Sequence, residues 1–422
     1  MSMNNYILNL LNIKDKNINI ITNSKEEVIK GKNYKIIEAF LTYKPKCCTN
    51  CGVINNSCND IIKWGFRKNC IVKIPKQGNC LTRLLLHKQR FYCKHCNNTF
   101  IAETSLVDRF KNISNNTNLQ IRLELMEKQS EKDVAKRTDV SASSVDRILH
   151  DISIHTVLRH PTLPTSMNWD KFKATKDTKG KMAFIITNNE NHQLFDINDS
   201  RKSIDLDKYF RRYSKKEREK VQHISTDFYS GYIYLAKKLF KNAHISIDRF
   251  HIIVQIYTAL NCTRVGLCKK DNHNYKKLKD YWKLFVKNEN DLSEEKHYSK
   301  HFKKEISQKE IVQYLINTNK TLKATYECYQ GLINALKERN FNKFKSICFN
   351  PTHNLSIKME AALKLYRENI QYIENSFKYD INNGIVEGTN NLIKCLKKIA
   401  FGYRKYDHFI ARIFLIKGII KG

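Results

Sequence analysis

The sequence predicts an α/β fold for its C-terminal part, and three observations favour that fold. Past the two prolines of His160-Pro-Thr-Leu-Pro164, three successive segments have the composition and spacing of strands. A basic amphipathic helix and a further strand follow them. A second helix and a last strand complete the series. This order, three strands, helix, strand, helix, strand, is that of a ribonuclease-H-like α/β domain.

The individual elements follow from apolar periodicity. Period-two patterns predict the strands, and a period near 3.6 predicts helices at 204–220 and 232–240. Residues from about 252 to 375 have helical periodicity throughout, which predicts an all-helical insertion at about 255–375; a separate helical domain is the alternative. A last helix is expected at 387–398. The predicted strands are 166–172, 181–187, 192–198, 221–226 and 244–248.

The charge of the chain favours a polyanionic partner. Its 422 residues include 75 Lys and Arg against 41 Asp and Glu, a formal net charge of +34 spread along the chain. Such a field favours nucleic acid over a membrane surface, although a lysine-rich composition inherited from an AT-rich genome is the alternative. No apolar run reaches the roughly 18 residues that span a bilayer. We therefore expect a cytoplasmic protein that does not enter a membrane.

Four of the thirteen cysteines form two Cys-x-x-Cys pairs. They are Cys48 with Cys51 and Cys93 with Cys96, and two thiolates separated by two residues can meet one Zn²⁺ ion. The basic, strand-like sequence between the pairs predicts a module like a zinc ribbon with a long insert. Unliganded buried thiols are the alternative, and a redox role is disfavoured because no strand-helix context of the thioredoxin kind surrounds either pair.

Short helical segments after residue 118 predict a helix-turn-helix. Ser130 and Ser141 are the expected N-caps, and the second helix is expected to present Ser143, Ser144 and Arg147 to DNA. A purely structural three-helix bundle is the alternative. With the proline-containing linker as the boundary, the sequence predicts a zinc-binding module at 1–105, a helix-turn-helix domain at 106–160 and a catalytic domain at 161–422.

Three carboxylates are the candidate catalytic residues. Asp170 and Asp227 lie on predicted strands or at their ends, and Glu387 lies at the start of the last predicted helix. In a ribonuclease-H-like fold these positions converge, and three converging carboxylates repel one another unless divalent cations such as Mg²⁺ or Mn²⁺ bind them. Two ions would support in-line displacement at a phosphodiester. The alternative is that each carboxylate caps a helix or faces solvent.

The chain resembles bacterial insertion-sequence transposases of the DDE type, which combine an N-terminal zinc finger, a helix-turn-helix and a catalytic domain with a helical insertion. The resemblance covers essentially the whole length. It is most specific at residues 223–232, at Ala243-His-Ile-Ser-Ile-Asp-Arg-Phe-His251, at residues 383–394 and at Phe401-Gly-Tyr-Arg404.

The resemblance implies that Asp170, Asp227 and Glu387 are the catalytic triad of a metal-dependent DNA transposase. The family commonly has an acidic residue after the first aspartate, where this chain has Lys171; Asp177, Asp196 and Asp199 are therefore alternatives to Asp170. Asp248 and His251 have either a structural or a metal-adjacent role.

The resemblance also implies the partners of the protein. They are double-stranded DNA, as the terminal inverted repeats of the element and as its target, and further copies of the chain in a homo-oligomer on the bacterial nucleoid. A DNA-binding regulator with an inert large domain is the second hypothesis. An RNA-guided nuclease is the third hypothesis. It is disfavoured because the two Cys-x-x-Cys pairs precede the predicted catalytic domain here, whereas in such nucleases they interrupt it.

Overall fold

The computed structural model describes residues 3–21, 24–56, 60–156, 160–178, 180–268, 274–379 and 384–420. The chain divides into two compact units. Unit 1 consists of Met1–Val157, Thr175–Asp177 and Leu392–Gly422, and unit 2 consists of Leu158–Ala174 and Thr178–Asn391.

The elements are numbered in chain order. Residues 3–156 form α1 Met3–Leu10, β1 Ile18–Ile20, β2 Lys25–Ile29, β3 Lys32–Leu41, β4 Ile61–Gln77, β5 Cys80–Cys93, β6 Thr99–Ile101, α2 Asn115–Glu124, α3 Glu131–Arg137 and α4 Ala142–His155. Residues 160–268 form β7 Ser166–Lys173, β8 Met182–Asn188, β9 Gln193–Asn198, α5 Ser203–Arg211, α6 Lys215–Glu219, β10 His223–Thr226, α7 Ser230–Leu239, β11 His244–Ile247 and α8 Arg249–Cys268. The remaining elements are α9 Tyr275–Asp280, α10 Trp282–Val286, β12 His297–Ser299, β13 Lys304–Ile306, α11 Gln308–Ile316, α12 Lys320–Lys337, α13 Phe341–Phe349, α14 Ile357–Glu368, α15 Ile370–Lys378, α16 Gly384–Ile399 and α17 Tyr406–Ile416.

The sheet of unit 1 is built on the long hairpin of β4 and β5. The two strands are joined by Gly78 and Asn79, and Gly78 has φ +60°, the value that a type II′ turn requires at its first position. Strand β3 pairs in parallel with β5 and antiparallel with β1 and β2, while β6 pairs with β5. Buried residues alternate along β5 with one change of phase between Leu86 and His87, and Leu84, Leu86 and Phe91 belong to the core.

Helices α2, α3 and α4 share a second apolar core in unit 1. Ser130 and Ser141 accept hydrogen bonds from Asp133 N and Ser144 N, so both serines are the N-caps that the sequence predicts. Helix α17 also contributes to this core through Ala411 and Leu415. The C-terminal helix is therefore a fourth member of the helical bundle.

The turn between α3 and α4 is fixed to the sheet through Asp139. Its carboxylate accepts hydrogen bonds from the Tyr34 hydroxyl at 2.7 Å and from the Arg83 guanidinium at 2.8 and 3.0 Å. The Lys73 ammonium donates to the Asp139 backbone carbonyl at 2.5 Å. Asp139 itself has φ +54°, a left-handed conformation that Asp adopts more readily than most residues.

Unit 2 contains a five-stranded mixed sheet in the order β11-β10-β7-β8-β9. Strands β7, β8 and β9 are antiparallel neighbours, whereas β10 and β11 run parallel to β7. Trp169, Ile224 and Ile247 belong to the core beside α5 and α7, to which Phe210 and Tyr232 contribute. The α/β class that the sequence predicts is confirmed.

Two predicted segments differ from the structure. The helix expected at 204–220 is divided into α5 and α6, because the Ser214 hydroxyl accepts from Glu217 N and begins a new helix. The prediction that 252–375 is entirely helical was wrong, since β12 and β13 form a short hairpin there. Among the described residues, no helix is long and apolar enough to cross a bilayer.

Candidate active site and metal centres

The four predicted zinc ligands converge in unit 1. The Sγ atoms of Cys48 and Cys96 are 3.8 Å apart, as are those of Cys51 and Cys93, and all four lie within 4.8 Å of one another. Four thiolates around one Zn²⁺ at about 2.3 Å have Sγ atoms roughly 3.8 Å apart, from tetrahedral geometry. The cluster therefore fits a tetrahedral zinc ion, and the spacing far exceeds the roughly 2.05 Å of a disulfide bond.

The backbone around the first cysteine pair is a tight knuckle. Cys48 N donates to Val53 O at 2.9 Å, Gly52 N donates to Cys48 O at 3.0 Å, and Asn50 N donates to Cys48 Sγ at 3.4 Å. Burial alone would raise the pKa of Cys48, but hydrogen bonds from the backbone of Cys51 and Asn50 lower it to about 7. A thiol that ionises near neutrality is prepared for metal ligation.

The second candidate centre lies where the parallel strands β10 and β11 of unit 2 end, beside residue 170 within β7. Ser225 of β10 is level with Asn168 of β7, and Thr226 is level with Ile247 of β11. If the pairing of β10 with β7 and with β11 is extended past these residues, Asp227 is level with Asp170 on one side and with Asp248 on the other. Asp248 N donates to Thr226 O at 2.9 Å, which holds the β11 end in that register.

Asp227 is the most deeply buried carboxylate of this group. It is 5% exposed and follows β10 directly. Its Oδ1 accepts from Tyr229 N at 2.9 Å, and its Oδ2 lies 2.5 Å from the Lys171 ammonium. The carboxylate is thus held by one backbone donor and one cation.

Asp170 is held by donors from two elements. Its Oδ2 accepts from Asn390 Nδ2 of α16 at 2.7 Å, and its Oδ1 accepts from Lys171 N at 2.7 Å. Burial raises the pKa of Asp170, and the charge of Asp227 adds to that rise. The two hydrogen bonds and the nearby His251 act in the opposite direction without cancelling it.

The sequence left His251 with either a structural or a metal-adjacent role, and the structure places it beside Asp170 and Asp227. One ligand atom from each of Asp170, Asp227 and His251 lies within 4.8 Å of the others. His251 Nε2 is 3.9 Å from Asp170 Oδ1 and 4.0 Å from Asp248 Oδ2. The sequence feature that could have identified His251 is the motif Asp248-Arg-Phe-His251. It follows β11 directly and places Asp248 and His251 near the start of α8.

Glu387 lies outside this cluster. It is in the first turn of α16, as the sequence predicts, and its side chain is exposed. Three residues later on the same helix, Asn390 contacts Asp170, and residues three apart lie on one face of a helix. Glu387 is therefore on the face of α16 that is directed towards Asp170, although the cluster does not include its carboxylate.

The alternatives to Asp170 have other partners. Asp177 accepts from Tyr406 N at 2.8 Å, and Asp196 accepts from the Tyr209 hydroxyl at 2.6 Å. Asp199 is exposed after β9. Among the described carboxylates, the metal-binding group around Asp227 contains none of the three.

The residues predicted to contact DNA on α4 differ in exposure. Ser143 and Arg147 are exposed, whereas Ser144 is 8% exposed. The Ser144 hydroxyl lies 2.8 Å from Ser141 Oγ and accepts from Arg147 Nη2 at 3.2 Å. Ser144 therefore does not lie on the outward face as expected, because its hydroxyl belongs to the N-cap network of the helix.

Comparisons with known proteins identify the family of the chain. The sequence model of a DDE transposase family of the ISL3 type, described as transposase, matches residues 169–413. A Lactococcus lactis subsp. lactis protein named "ATP-dependent protease" is 29% identical over 134 residues, which are 31% of this chain and 42% of that protein. The chain thus matches less than half the length of this curated relative.

A solved structure is also similar in part. The chain "Drosophila P element transposase strand transfer complex" is 12% identical, with a TM-score of 0.36 over 74% of this chain and 93% of that one. A TM-score this low carries no argument about the fold. The family match extends over more than half of the 422 residues and includes Asp170, Asp227 and Glu387, and on that ground the protein belongs to the DDE transposases.

Proposed function

We propose that the protein is a transposase that binds the ends of its own insertion sequence and catalyses metal-dependent DNA strand cleavage and strand transfer. One observation carries the proposal: Asp170 and Asp227, from adjacent parallel strands, lie together in a partly buried cluster with His251. Two carboxylates this close repel each other, and the Lys171 ammonium supplies only one positive charge beside them, so the arrangement favours a site that binds a divalent metal ion.

The fold that we propose for residues 161–422 is ribonuclease-H-like. Its support is the strand order β9-β8-β7-β10-β11, with three antiparallel strands followed by two parallel ones. We further propose that residues of about 255–375 are an insertion between β11 and α16. The zinc module at 1–105 and the helix-turn-helix at 106–160 would precede this catalytic domain.

The donor set fits Mg²⁺ or Mn²⁺. Carboxylate oxygens are the preferred ligands of these ions. Two oxygens bound to one ion at about 2.1 Å lie up to roughly 4.2 Å apart. The ligand atoms of the cluster lie within 4.8 Å of one another, so small side-chain rotations would bring them to one ion. When bound, a pair of divalent ions activates the attacking hydroxyl and stabilises the leaving oxygen. We propose Asp170 and Asp227 as ligands and Glu387 as the third carboxylate, brought in by α16.

For the N-terminal part we propose DNA binding. The four-cysteine cluster would hold a structural zinc ion, and Ser143 and Arg147 would contact DNA from the exposed side of α4. The net charge of +34 favours phosphate contacts. The partners are the terminal inverted repeats of the element, target DNA and further copies of the chain.

The test compares Asp227→Asn with the wild-type protein. The substitution keeps the shape of the side chain but removes a charged metal ligand. We expect Mn²⁺-dependent cleavage of DNA that contains the element ends to fall by at least about a thousandfold, with DNA binding retained. Asp199→Asn is the control, because Asp199 lies outside the cluster.

Two results would overturn the proposal. Cleavage by Asp227→Asn at the wild-type rate would remove this site from the chemistry. A wild-type protein that binds the ends and does not cut them under any divalent metal condition would instead favour a DNA-binding regulator.

A further inference from the structure

The candidate metal site contains a cation that belongs to the chain itself. The ammonium of Lys171 lies 2.5 Å from Asp227 Oδ2, and the two side chains are 31% and 6% exposed. Lys171 directly follows Asp170 in β7, so one strand supplies both a carboxylate of the site and the counterion of its neighbour. No other lysine or arginine side chain is within ion-pair distance of Asp170 or Asp227 among the described contacts.

The four carboxylate oxygens of the two aspartates already have hydrogen-bond donors. Three of these donors are the backbone of Tyr229, the backbone of Lys171 and the neutral amide of Asn390. The fourth is the ammonium of Lys171, which alone carries a full charge and stands on a long flexible side chain. Neutral donors can share a carboxylate with a metal ion, whereas an ammonium competes with the ion for the same position and the same charge.

We propose that Lys171 is an internal competitor for the metal site: its ammonium occupies the Asp227 side of the site and must move away before a divalent cation binds there. Lys171 therefore sets the metal concentration at which the site fills. This inference rests on the proposed role of Asp170 and Asp227 as metal ligands.

The physical basis is exchange of one cation for another at a buried carboxylate. Metal binding to the wild-type protein must break a partly buried ion pair, and that cost is absent when residue 171 is neutral. The free-energy cost of breaking an ion pair with one buried and one partly exposed partner lies between the cost for a surface pair and the cost for a fully buried pair. We therefore expect removal of the ammonium to tighten metal binding by about tenfold, which corresponds to about 1.4 kcal/mol.

The experiment measures metal binding without DNA and without turnover. Tb³⁺ prefers hard oxygen ligands and its emission is sensitised by a nearby tryptophan, and Trp169 precedes Asp170 in β7. The zinc-loaded full-length protein is titrated with Tb³⁺, and Mn²⁺ is then added to displace it. The variants are Lys171→Met, Lys171→Gln and Lys171→Arg, with Lys173→Met as the matched control two residues further along the same strand.

The inference predicts a specific pattern. Lys171→Met and Lys171→Gln should lower the half-saturating Tb³⁺ and Mn²⁺ concentrations about tenfold, while Lys171→Arg and Lys173→Met should stay within about twofold of the wild type. Thermal unfolding curves check that each variant is folded. If only one of Lys171→Met and Lys171→Gln folds, that variant alone is sufficient for the test. An equal increase in metal affinity in Lys171→Met and Lys173→Met would show a general effect of net charge and overturn the inference.

Asp227→Asn separates this inference from the proposed function. If Asp227→Asn abolishes the sensitised emission while the neutral Lys171 variants bind as the wild type does, the metal site stands and the competitor role of Lys171 fails. If Asp227→Asn binds Tb³⁺ and Mn²⁺ as tightly as the wild type, the aspartate metal site itself fails.

Discussion

Replacing Arg412 by methionine tests whether α17 supports the helices of unit 1 that we propose to bind DNA. Arg412 lies in α17 with 0% of its surface exposed. Its guanidinium donates to the backbone carbonyls of Leu125, Glu127 and Gln129, just after the end of α2. A methionine preserves most of the apolar volume of the side chain but removes the guanidinium donor from all three carbonyls, of which Glu127 O keeps a hydrogen bond from Gln129 N.

The magnitude follows from the lost hydrogen bonds. Each hydrogen bond from a charged donor contributes about 1.5–3 kcal/mol. The variant no longer has the desolvation cost of a buried guanidinium, and this offsets part of the loss. We expect the free energy of unfolding of unit 1 to fall by about 2–4 kcal/mol. For a unit of this size, at about 2–4 °C per kcal/mol, Tm should fall by roughly 5–15 °C.

The assay combines thermal unfolding with DNA binding to the element ends, measured by fluorescence anisotropy near the new Tm. Arg404→Met is the control, because Arg404 is exposed shortly before the same helix and its loss should change the free energy of unfolding by no more than about 0.5 kcal/mol. A Tm for Arg412→Met within the range of the control, with unchanged DNA affinity, would refute the reasoning that α17 supports α2 and α4.

Three further outcomes are expected. Zinc content should fall from about one ion per chain to near zero in Cys93→Ser/Cys96→Ser and should be retained in Cys47→Ser, as measured by metal analysis; equal zinc in all would contradict the four-cysteine site. Arg147→Ala should reduce the preference for end sequences by about 1–3 kcal/mol and general DNA affinity much less, and equal losses would identify a phosphate contact. Burial raises the pKa of Asp196, so the stability contribution of this group is present below its unfolded pKa and is lost as pH rises through the folded value. Asp196→Asn should therefore stabilise the protein more at pH 7 than at pH 4, with Mn²⁺-dependent cleavage retained; a stability difference that is independent of pH would contradict this assignment.

Local patterns in the sequence were sufficient for the features that depend on neighbouring residues. Two thiols separated by two residues can meet one metal ion, so the spacing of the two pairs singled out the four candidate zinc ligands that the structure brings together. The N-caps Ser130 and Ser141 and the strand before Asp227 are equally local, because capping and alternation operate within a few residues.

Only the tertiary structure decided which distant side chains meet. Lys171 and Asn390 contact the two aspartates across 56 and 220 residues of sequence, and periodicity contains no information about such pairs. The same holds for Arg412, which is 287 residues from Leu125 and yet supports the helices of the N-terminal part. The sequence determined which residue types were available for the candidate metal sites and for the proposed DNA contacts. Packing across strands and helices determined the partners of these residues, because a charged group that is buried on folding needs a partner that is near in space and not necessarily near in sequence.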